Sequence, residues 1–409
     1  MAININAKTS GVGGLETTAD NSGNINIQSG GSTVMSVTSS GVAVTGSFSQ
    51  NGAVYSTQPS FRNLIINGDM RIDQRNAGTS YTSSNANVYT LDRWLTFETG
   101  GVSSRFTIQQ NAGSVTPPTG FTNYMGITSS VASAVTAGMI QSIAQKIEGF
   151  NASDLAWGTA NAKTVTISFW VRSSLTGTFG GVLSNGAVNY SYPFTYTISA
   201  ANTWEYKTVT IAGPTAGTWV TNNGAGPVLQ FVIGTGSTYQ GSAGSWSANG
   251  YYGVTGTVDV TGTNGATLYI TGVQLEVGST ATDFENLPYD VELARCQRYY
   301  WADLASQDNT NYHTFSSGDA GTTTRFFSYR TFPVPMRVIP SATISTAAGF
   351  AIYTRDAVKA VNSVNQNDTS PYGVGFYIDA PAASFTVGSG GRVVANNNQT
   401  ASITYSAEL

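Results

Sequence analysis

The sequence has little charge. Only 10% of its 409 residues are Asp, Glu, Lys or Arg, whereas about 25% are charged in an ordinary soluble domain. The net charge of −4 is spread thinly and leaves no basic stripe to neutralise phosphates, so we expect no nucleic acid partner. The polar surface must consist of Ser, Thr, Asn, Gln and Gly, a composition that favours short strands and turns.

Long apolar runs and cysteine are also scarce. The first residues lack the apolar core of a secretory signal. No run approaches the roughly 20 apolar residues needed to cross a bilayer, so we expect no membrane insertion. Cys296 is the only cysteine, which excludes an internal disulfide and indicates folding in a reducing cytosol. We expect Cys296 to be a small buried residue.

Catalytic and metal-binding residues are few. His313 is the only histidine and lies in the polar stretch DNTNYHTF, where we expect an ordinary surface-loop histidine. The sequence has no G-x-S-x-G nucleophile elbow and no Cys/His cluster for zinc. Its Gly-rich stretches lack the lysine and following helix of a phosphate-binding loop. We therefore predict a protein that is not an enzyme and has no cofactor or metal.

Glycine and β-branched residues are abundant, and they first define an N-terminal segment, residues 1–60. Its short strand-like pieces are broken by Gly, Asn and Ser and are too short to build a core alone. We expect copies of the segment to pair with one another, the alternative being disorder. In a homotrimer, Gly41 and Gly46 would make the corner turns. The apolar residues expected at the shared axis are Val34, Val37, Val42, Val44 and Phe48.

Alternating strands in residues 61–288 predict a large jelly-roll-like β-sandwich. In KTVTISFWVRS, Phe169 alternates with Trp170 and Arg172, so these two residues point away from the core. The piece NLIINGDM is predicted to be a short opening strand. In TLYITGVQLEV the alternation changes phase at Gly272, which predicts a β-bulge that keeps both halves of a central, doubly covered strand facing inward.

A linking helix, residues 289–304, and a smaller β-domain, residues 305–409, complete the predicted mostly β architecture. Pro288 and Asp290 are helix-start signals, and we expect the helix to continue to about Ala302. Its apolar face should pack between the two β-domains. The residues of that face are Leu293, Cys296, Tyr300 and Leu304.

Aromatic residues in Gly-rich loops are the main candidates for binding. Aromatic rings stack on the apolar faces of sugars, while amides, carboxylates and guanidinium groups hydrogen-bond the hydroxyls. Each ring has the alternative role of capping an end of the sandwich. The candidates for glycan contact, of which the first three are favoured, are Trp246, Tyr251, Tyr252, Tyr239, Trp219, Trp170 and Arg172.

Several motifs resemble a family of bacteriophage tail-fibre and virion structural proteins. They are NLIINGDMRIDQR, LDRW, FWVRS and LYITGVQLEVGSTATDFENLPYDVELARCQRYY. PVPMRVIPSATIS and AEL resemble that family's closing domain, and residues 15–48 are similar to phage fibre shafts. The resemblance implies a trimeric fibre that is assembled in the host cytoplasm, exposed on the virion after lysis, and attached through its N-terminus to tail or capsid proteins.

The sandwich also resembles the jelly-roll carbohydrate-binding modules of plant-cell-wall hydrolases. Those modules share an NG-[DN] opening strand beside a closing strand, and they often hold a structural calcium there with an Asp pair in the closing strand. This chain keeps Asn67 and Asp69 but has Gly272-Val273-Gln274 at the matching place. No metal is therefore predicted.

The sequence as a whole predicts a phage tail fibre or receptor-binding protein that contacts host-surface glycans through its β-domains. One alternative is a purely structural virion appendage, a head fibre or neck decoration without receptor binding. A second alternative is a polysaccharide depolymerase, because carboxylates distant in sequence can converge.

Overall fold

The protein is described by a computed structural model. The structure describes residues 25–29, 32–38, 41–44, 48–50, 53–55, 61–101, 103–308, 311–355 and 357–409. The chain is mostly β, with 43% of residues in strands and 9% in helices, as the sequence predicts. It divides into two compact units, Met1–Ser60 and Phe61–Leu409.

The first unit contains short antiparallel strands. They are β1 (Ile25–Ser29), β2 (Ser32–Thr38), β3 (Gly41–Val44), β4 (Phe48–Gln50) and β5 (Ala53–Tyr55). β1, β2 and β3 form one sheet, and β4 and β5 form a hairpin. Ile27 is 50% exposed, and its partner Met35 is partly exposed, so apolar side chains of this sheet are accessible to another molecule.

The residues predicted at the trimer axis lie partly outside the described residues. The side chains of Val34, Val42, Val44 and Phe48 lie outside what the structure describes, and so does Gly46. Val37 is partly exposed, and Gly41 is the first residue of β3. The trimer therefore stays a prediction.

The sandwich in the second unit has two six-stranded sheets. The first sheet has the order β15-β12-β19-β10-β9-β6, the second the order β14-β13-β16-β11-β8-β7, and β17 and β18 form a short parallel pair. The strands are β6 (Tyr81–Thr82), β7 (Tyr89–Leu91), β8 (Trp94–Thr99), β9 (Phe106–Gln110), β10 (Met125–Ser129), β11 (Ile140–Glu148), β12 (Val165–Ser173), β13 (Gly177–Ser184), β14 (Ser191–Ile198), β15 (Glu205–Ile211), β16 (Ala225–Thr235), β17 (Gln240–Gly241), β18 (Gly253–Val254) and β19 (Thr267–Val277).

The predicted alternation places the core between the two sheets. Phe169 of β12 and Phe231 of β16 are fully buried, and their rings meet at 5.0 Å. β19 is buried on both faces along nearly its whole length. Gly272 has a φ of 61°, and the register between β12 and β19 shifts opposite it, so the predicted bulge is confirmed. Val277, at the strand end, is 44% exposed rather than inward-facing.

The prediction of a strand at NLIINGDM is wrong. Side chains, rather than a strand ladder, satisfy much of this backbone. Asn63 Oδ1 accepts from the amides of Ile65 and Leu275 at 3.0 and 3.1 Å, and Gln145 bonds both the N–H and the C=O of Ile66 at 2.8 Å. The chain is therefore held beside β19 without regular strand geometry.

The linking helix α1 (Tyr289–Gln297) ends earlier than predicted. Tyr300 and Leu304 belong to strand β20 (Tyr300–Leu304), because the backbone of this segment pairs with the strand Ser402–Ser406. Tyr300 consequently leaves the helical face on which the sequence analysis had placed it. Its ring lies instead under the guanidinium of Arg75, at 3.7 Å.

The C-terminal β-domain packs a seven-stranded sheet and a three-stranded sheet around one core. The seven-stranded sheet has the order β25-β24-β28-β21-β22-β27-β26, and the other has the order β20-β29-β23. The remaining strands are β21 (Thr314–Ala320), β22 (Arg325–Thr331), β23 (Ser341–Ile344), β24 (Phe350–Thr354), β25 (Val358–Ala360), β26 (Ser363–Ser370), β27 (Gly373–Asp379), β28 (Gly390–Ala395) and β29 (Ser402–Ser406).

The seam between the sandwich and the C-terminal domain contains an apolar cluster around α1. Leu293 and Cys296 pack there with Tyr299, with Ile66 of the sandwich and with Leu409. Cys296 is fully buried, as predicted. The helix thus packs between the two domains, through Tyr299 in place of Tyr300.

Charged groups reinforce the same seam. Arg298 makes two hydrogen bonds to the carboxylate of Glu148, at 2.6 and 2.9 Å, and the Tyr299 hydroxyl donates to it at 2.6 Å. Glu408 pairs with Arg75 at 2.7 Å and with the buried Arg93. The two domains are therefore joined by paired charges as well as by apolar contacts.

The surface position predicted for His313 is wrong. The residue is only 7% exposed, and its Nε2 lies 2.7 Å from Asp303 Oδ1. Phe315 packs edge-on against the imidazole at 4.8 Å.

Among the described residues, no helix has the length and apolar character needed to cross a membrane.

Candidate functional site

The predicted binding residues lie in several regions of the sandwich, two of which are rich in aromatic rings. We call the first the aromatic cap and define it as Trp157, Tyr190, Tyr192, Trp219 and Trp246. We call the second the groove, and its main residues are Phe121, Trp170, Tyr206, Gly272 and Phe284. The structure does not bring all the predicted candidates onto one surface.

Trp246 is enclosed by the other residues of the cap. Its ring stacks on Tyr190 at 5.8 Å and meets Trp157 and Trp219 at 5.7 and 5.6 Å. The indole N–H donates to the carbonyl of Ala212 at 2.7 Å. Trp219 and Trp246 both pack against the sandwich core, so their rings already have protein partners.

Tyr239 and Tyr252 cover the outer face of the second sheet. Tyr252 packs edge-on against Phe97 at 5.7 Å and against Tyr239 at 5.8 Å. Burial raises the pKa of the Tyr252 hydroxyl. Tyr251 lies over Gly241, where a Cβ would stand 2.4 Å from the ring. These contacts favour packing roles, while glycan contact by these tyrosines stays a prediction.

The groove begins with a cross-strand pair of aromatic residues. Trp170 of β12 lies directly opposite Tyr206 of β15, and their rings are 5.4 Å apart at an interplanar angle of 49°. Trp170 follows the buried Phe169 and points to the other face, as predicted, because side chains alternate along a strand. Tyr206 is 43% exposed. The pair therefore presents aromatic surface to solvent.

The bulge at Gly272 forms the floor of the groove. A Cβ at this position would lie 2.6 Å from Phe121 Cζ and 3.2 Å from Trp170 Cδ1. Only glycine fits here, because the positive φ and the two adjacent rings both exclude a side chain. Phe121 and Phe284 meet at 5.2 Å with an interplanar angle of 63°.

The far wall of the groove is fixed by two polar side chains that point outward from β19. Glu276 accepts hydrogen bonds from the Thr282 amide at 2.8 Å and from its hydroxyl at 2.6 Å. Gln274 Oε1 accepts from the Glu285 amide at 2.9 Å. These bonds hold the segment after β19 in place and so position Phe284.

The resulting cavity has a volume of about 520 Å³. Polar residues share its lining with the rings. They are Thr119, Ser168, Thr282, Asp283 and Asn286. Aromatic rings beside hydroxyl, carboxylate and amide groups are the arrangement that recognises a ligand with both apolar and hydroxylated surfaces.

Arg172 shares the outer face of the first sheet but does not line the groove. Its guanidinium lies 5.4 Å from the Tyr269 ring, and its Nε donates to the Asn202 carbonyl at 3.0 Å.

Sequence reasoning missed Tyr206, Phe121 and Phe284. Alternation in EYKTVTIAG marks Tyr206 as outward-facing, but only the strand order places it beside Trp170.

The residues compared above with a calcium site have protein partners. Asp69 pairs with Arg71, and burial raises the pKa of its carboxyl group even though Arg71 opposes the shift. The Asn67 amide donates to the carbonyls of Ile72 and Asp92 at 2.8 and 3.0 Å. Within the described ranges, no group of three or more His, Cys, Asp or Glu residues is placed to hold a metal ion.

Solved structures similar to this chain include a phage protein and carbohydrate-binding modules. The enzymatically active domain of tailspike protein 4 of bacteriophage CBA120 matches over 53% of this chain and 22% of its own length, at 13% identity and a TM-score of 0.29. The module TmCBM61 in complex with β-1,4-galactotriose matches over 53% of this chain and 99% of its own, at 10% identity and a TM-score of 0.26.

A third similar structure is the family 11 carbohydrate-binding module of Clostridium thermocellum in complex with a β-1,3-1,4-mixed-linked tetrasaccharide. It matches over 50% of this chain and 98% of its own length, at 12% identity and a TM-score of 0.24. No protein-family model and no curated protein matches the chain. Likenesses this distant are no argument for a shared family or a shared ligand.

Proposed function

We propose that this chain is a non-enzymatic phage fibre protein that binds a host-surface glycan in the groove. The observation that carries the proposal is the cross-strand pair Trp170–Tyr206, which opens into a cavity of about 520 Å³. This volume lies within the range of about 300–1,000 Å³ typical of ligand sites. Trp170 and Tyr206 would stack on sugar rings, and Ser168, Asp283 and Asn286 would hydrogen-bond the hydroxyls.

The lining of the groove favours binding over hydrolysis. Glycosidases use two carboxylates, about 5–10 Å apart, on either side of the scissile bond. Asp283 is the one carboxylate among the residues that line the groove in the described part of the chain. The proposal therefore assigns the groove to recognition, with depolymerase activity as the outcome that would contradict it.

The N-terminal unit would attach the fibre to the virion and join three copies. Its half-exposed Ile27 and short antiparallel strands support self-association, since such a sheet gains a buried face by pairing with copies of itself. Three copies would also strengthen weak sugar binding, because the second and third sites engage one surface at high effective concentration. The protein would then act on the released particle as a receptor-binding component.

A glycan array probed with the full-length chain tests the proposal. We expect binding that Trp170→Ala weakens at least tenfold, whereas Trp204→Ala, a change in the loop before β15 and outside the groove, preserves it. Release of reducing ends from a bound polysaccharide would indicate a depolymerase. Failure to bind the array and every host envelope preparation would indicate a purely structural appendage. Sedimentation of the full-length chain as a monomer would contradict the predicted trimer.

A further inference from the structure

The outer face of the seven-stranded sheet in the C-terminal domain carries exposed aromatic residues that no core contact explains. Along β22, Phe326 and Ser328 are buried, while Phe327 and Tyr329 are 41% and 49% exposed. This alternation is that of a strand with one face on the core and one face in solvent. β22 is central in the sheet, between β21 and β27, so the exposed rings lie away from the sheet edges.

Strand register places polar groups at both ends of a row through Phe327. Phe327 pairs with Tyr377 of β27 on one side and with Asp319 of β21 on the other. Tyr377 in turn pairs with Asn365 of β26. Directly paired residues project from the same face of a sheet about 5 Å apart. The row therefore reads Asp319, Phe327, Tyr377 and Asn365 across four neighbouring strands.

A second row contains Tyr329. It pairs with Ser317 on β21 and with Gly375 on β27, and Gly375 pairs with Asn367 on β26. A Cβ at Gly373 would lie 2.2 Å from the Tyr329 hydroxyl oxygen. The absence of side chains at these glycines lets the Tyr329 ring lie along β27, so that one side of the ring covers backbone and the other faces solvent.

An ion pair holds the adjoining Tyr377 ring in place. Arg325 makes two hydrogen bonds to the carboxylate of Asp379, at 2.7 and 3.2 Å, and its guanidinium lies 4.5 Å from the Tyr377 ring centroid. Because Arg325 and Asp379 neutralise each other, the charges left on this face are Asp319, beside Phe327, and Arg392 of β28, which pairs with Ser317 in the Tyr329 row. They are of opposite sign, so the face has no net charge to select an ionic ligand.

We propose that this aromatic face, defined as Phe327, Tyr329 and Tyr377, is a second binding site for a neutral oligosaccharide. The inference rests on the proposed function only for the class of ligand, because it concerns a separate surface on a separate domain. Rings flanked within one strand spacing by Asp319, Asn365 and Asn367 can stack on a sugar and hydrogen-bond its hydroxyls at once.

The shape of the face distinguishes it from the groove. The groove encloses its ligand between rings on several segments, whereas the aromatic face is the open surface of a sheet. It would contact one side of an extended glycan chain. Aromatic rings inside a polar rim also suit a protein interface, so a second protein is the alternative occupant, and it is the outcome indicated if the face binds no oligosaccharide.

The test compares two sets of variants of the full-length chain on one array of neutral and acidic oligosaccharides. The face variants are Phe327→Ala and Tyr329→Ala, the groove variant is Trp170→Ala, and the control is Tyr372→Ala, a residue that is 67% exposed in the same domain but outside the face. Loss of one stacking ring should weaken binding of neutral oligosaccharides about tenfold. Thermal melting of each variant verifies the fold.

The two proposals give different patterns. Neutral glycans that are lost by the face variants and kept by Trp170→Ala and Tyr372→Ala establish the second site. If the face variants bind like the parent while Trp170→Ala loses binding, the second site is refuted and the groove stands. If only the face variants lose binding and Trp170→Ala binds every glycan like the parent, the groove is refuted. A chain that binds neither the array nor any host envelope preparation refutes both sites.

Discussion

The aromatic cap and the groove have similar residues but differ in the number of rings that each residue contacts. In the cap, Trp246 is surrounded by other rings and its N–H is bonded to Ala212. In the groove, Trp170 and Tyr206 contact each other on one side and border an open cavity on the other. The position of an aromatic residue in a Gly-rich loop therefore does not make it a binding residue. A ring that other protein groups already contact on most sides has a packing role, and a ring with a free side can bind a ligand.

Backbone context explains the contrast. The loop that carries Trp246 is tied to β14 by a single β-bridge, between Ser247 and Ser191, so packing of its large side chain against the core adds to the anchoring of the loop. Trp170 lies on a strand that is held by β15 and β19. Its ring is not needed for anchoring and can remain open to solvent.

Removal of Trp246 should give the largest effect. Trp246→Ala deletes a ring that contacts Trp157, Trp219, Tyr190 and Tyr192, and large-to-small changes of this kind cost about 3 kcal/mol. Chemical denaturation measures the loss. A variant that keeps the parent's free energy of unfolding but no longer binds glycan would reverse the comparison.

A side chain at Gly272 should strain the groove floor. Gly272→Ala combines a φ of 61° with a contact of 2.6 Å to Phe121, and we expect a cost of about 2 kcal/mol together with weaker glycan binding. Gly265→Ala is the matched control, since Gly265 also has a positive φ but has no atom within 4 Å of the added Cβ. Equal losses of stability in Gly272→Ala and Gly265→Ala would show that backbone strain alone is responsible.

Truncation of Tyr206 should affect binding more than stability. Tyr206→Ala removes a ring that is 43% exposed, so we expect weaker glycan binding by about 1 kcal/mol and a smaller change in unfolding free energy. Tyr206→Phe keeps the ring and should keep most of the affinity. Titration calorimetry with a glycan identified on the array measures both, and a loss of similar size in the Phe variant would assign the effect to the hydroxyl.

Replacement of Glu148 should cause a smaller, pH-dependent loss of stability and should leave the aromatic cap and the groove unchanged. Burial alone would raise its pKa, but hydrogen bonds from Arg298 and Tyr299 hold the pKa of Glu148 below its usual value. Its stabilisation is therefore present above the unfolded pKa of about 4.3 and is lost as pH falls through the folded pKa.

Stability curves against pH check the role of Glu148. Glu148→Gln should be less stable than the parent near neutral pH, and the gap should close in acid. Glycan binding at neutral pH should stay the same, because the seam lies outside the groove. A gap that is constant from pH 3 to 7 would contradict the assignment.

The sequence predicted the positions of individual strands better than it predicted which strands lie side by side. Alternation identified β12 and the bulge in β19 because each pattern depends on local side-chain direction. It did not show that Tyr206 lies beside Trp170, since strand order depends on contacts between distant segments. The groove consequently could be predicted only in part, through Trp170.

The errors at NLIINGDM and at the end of α1 have the same cause. The first segment is held by Asn63 and Gln145 side chains, and the residues after α1 are recruited into a sheet by β29. In both places, partners far away in the chain override the local pattern. His313 was misplaced for a different reason, because it is buried by Asp303 and Phe315, which are close in sequence but whose contacts the polar stretch DNTNYHTF does not reveal.

The pairing of Glu408 with Arg75 and Arg93 has a consequence for biosynthesis. The partners are separated by 333 and 315 residues in sequence, and contacts between distant parts of a chain form late and slowly. During translation the sandwich strands emerge first, while the acidic residue that neutralises these arginines is still unsynthesised. The nascent sandwich therefore holds Arg75 and Arg93 without this carboxylate partner until Glu408 has left the ribosome, and only then can these pairs form.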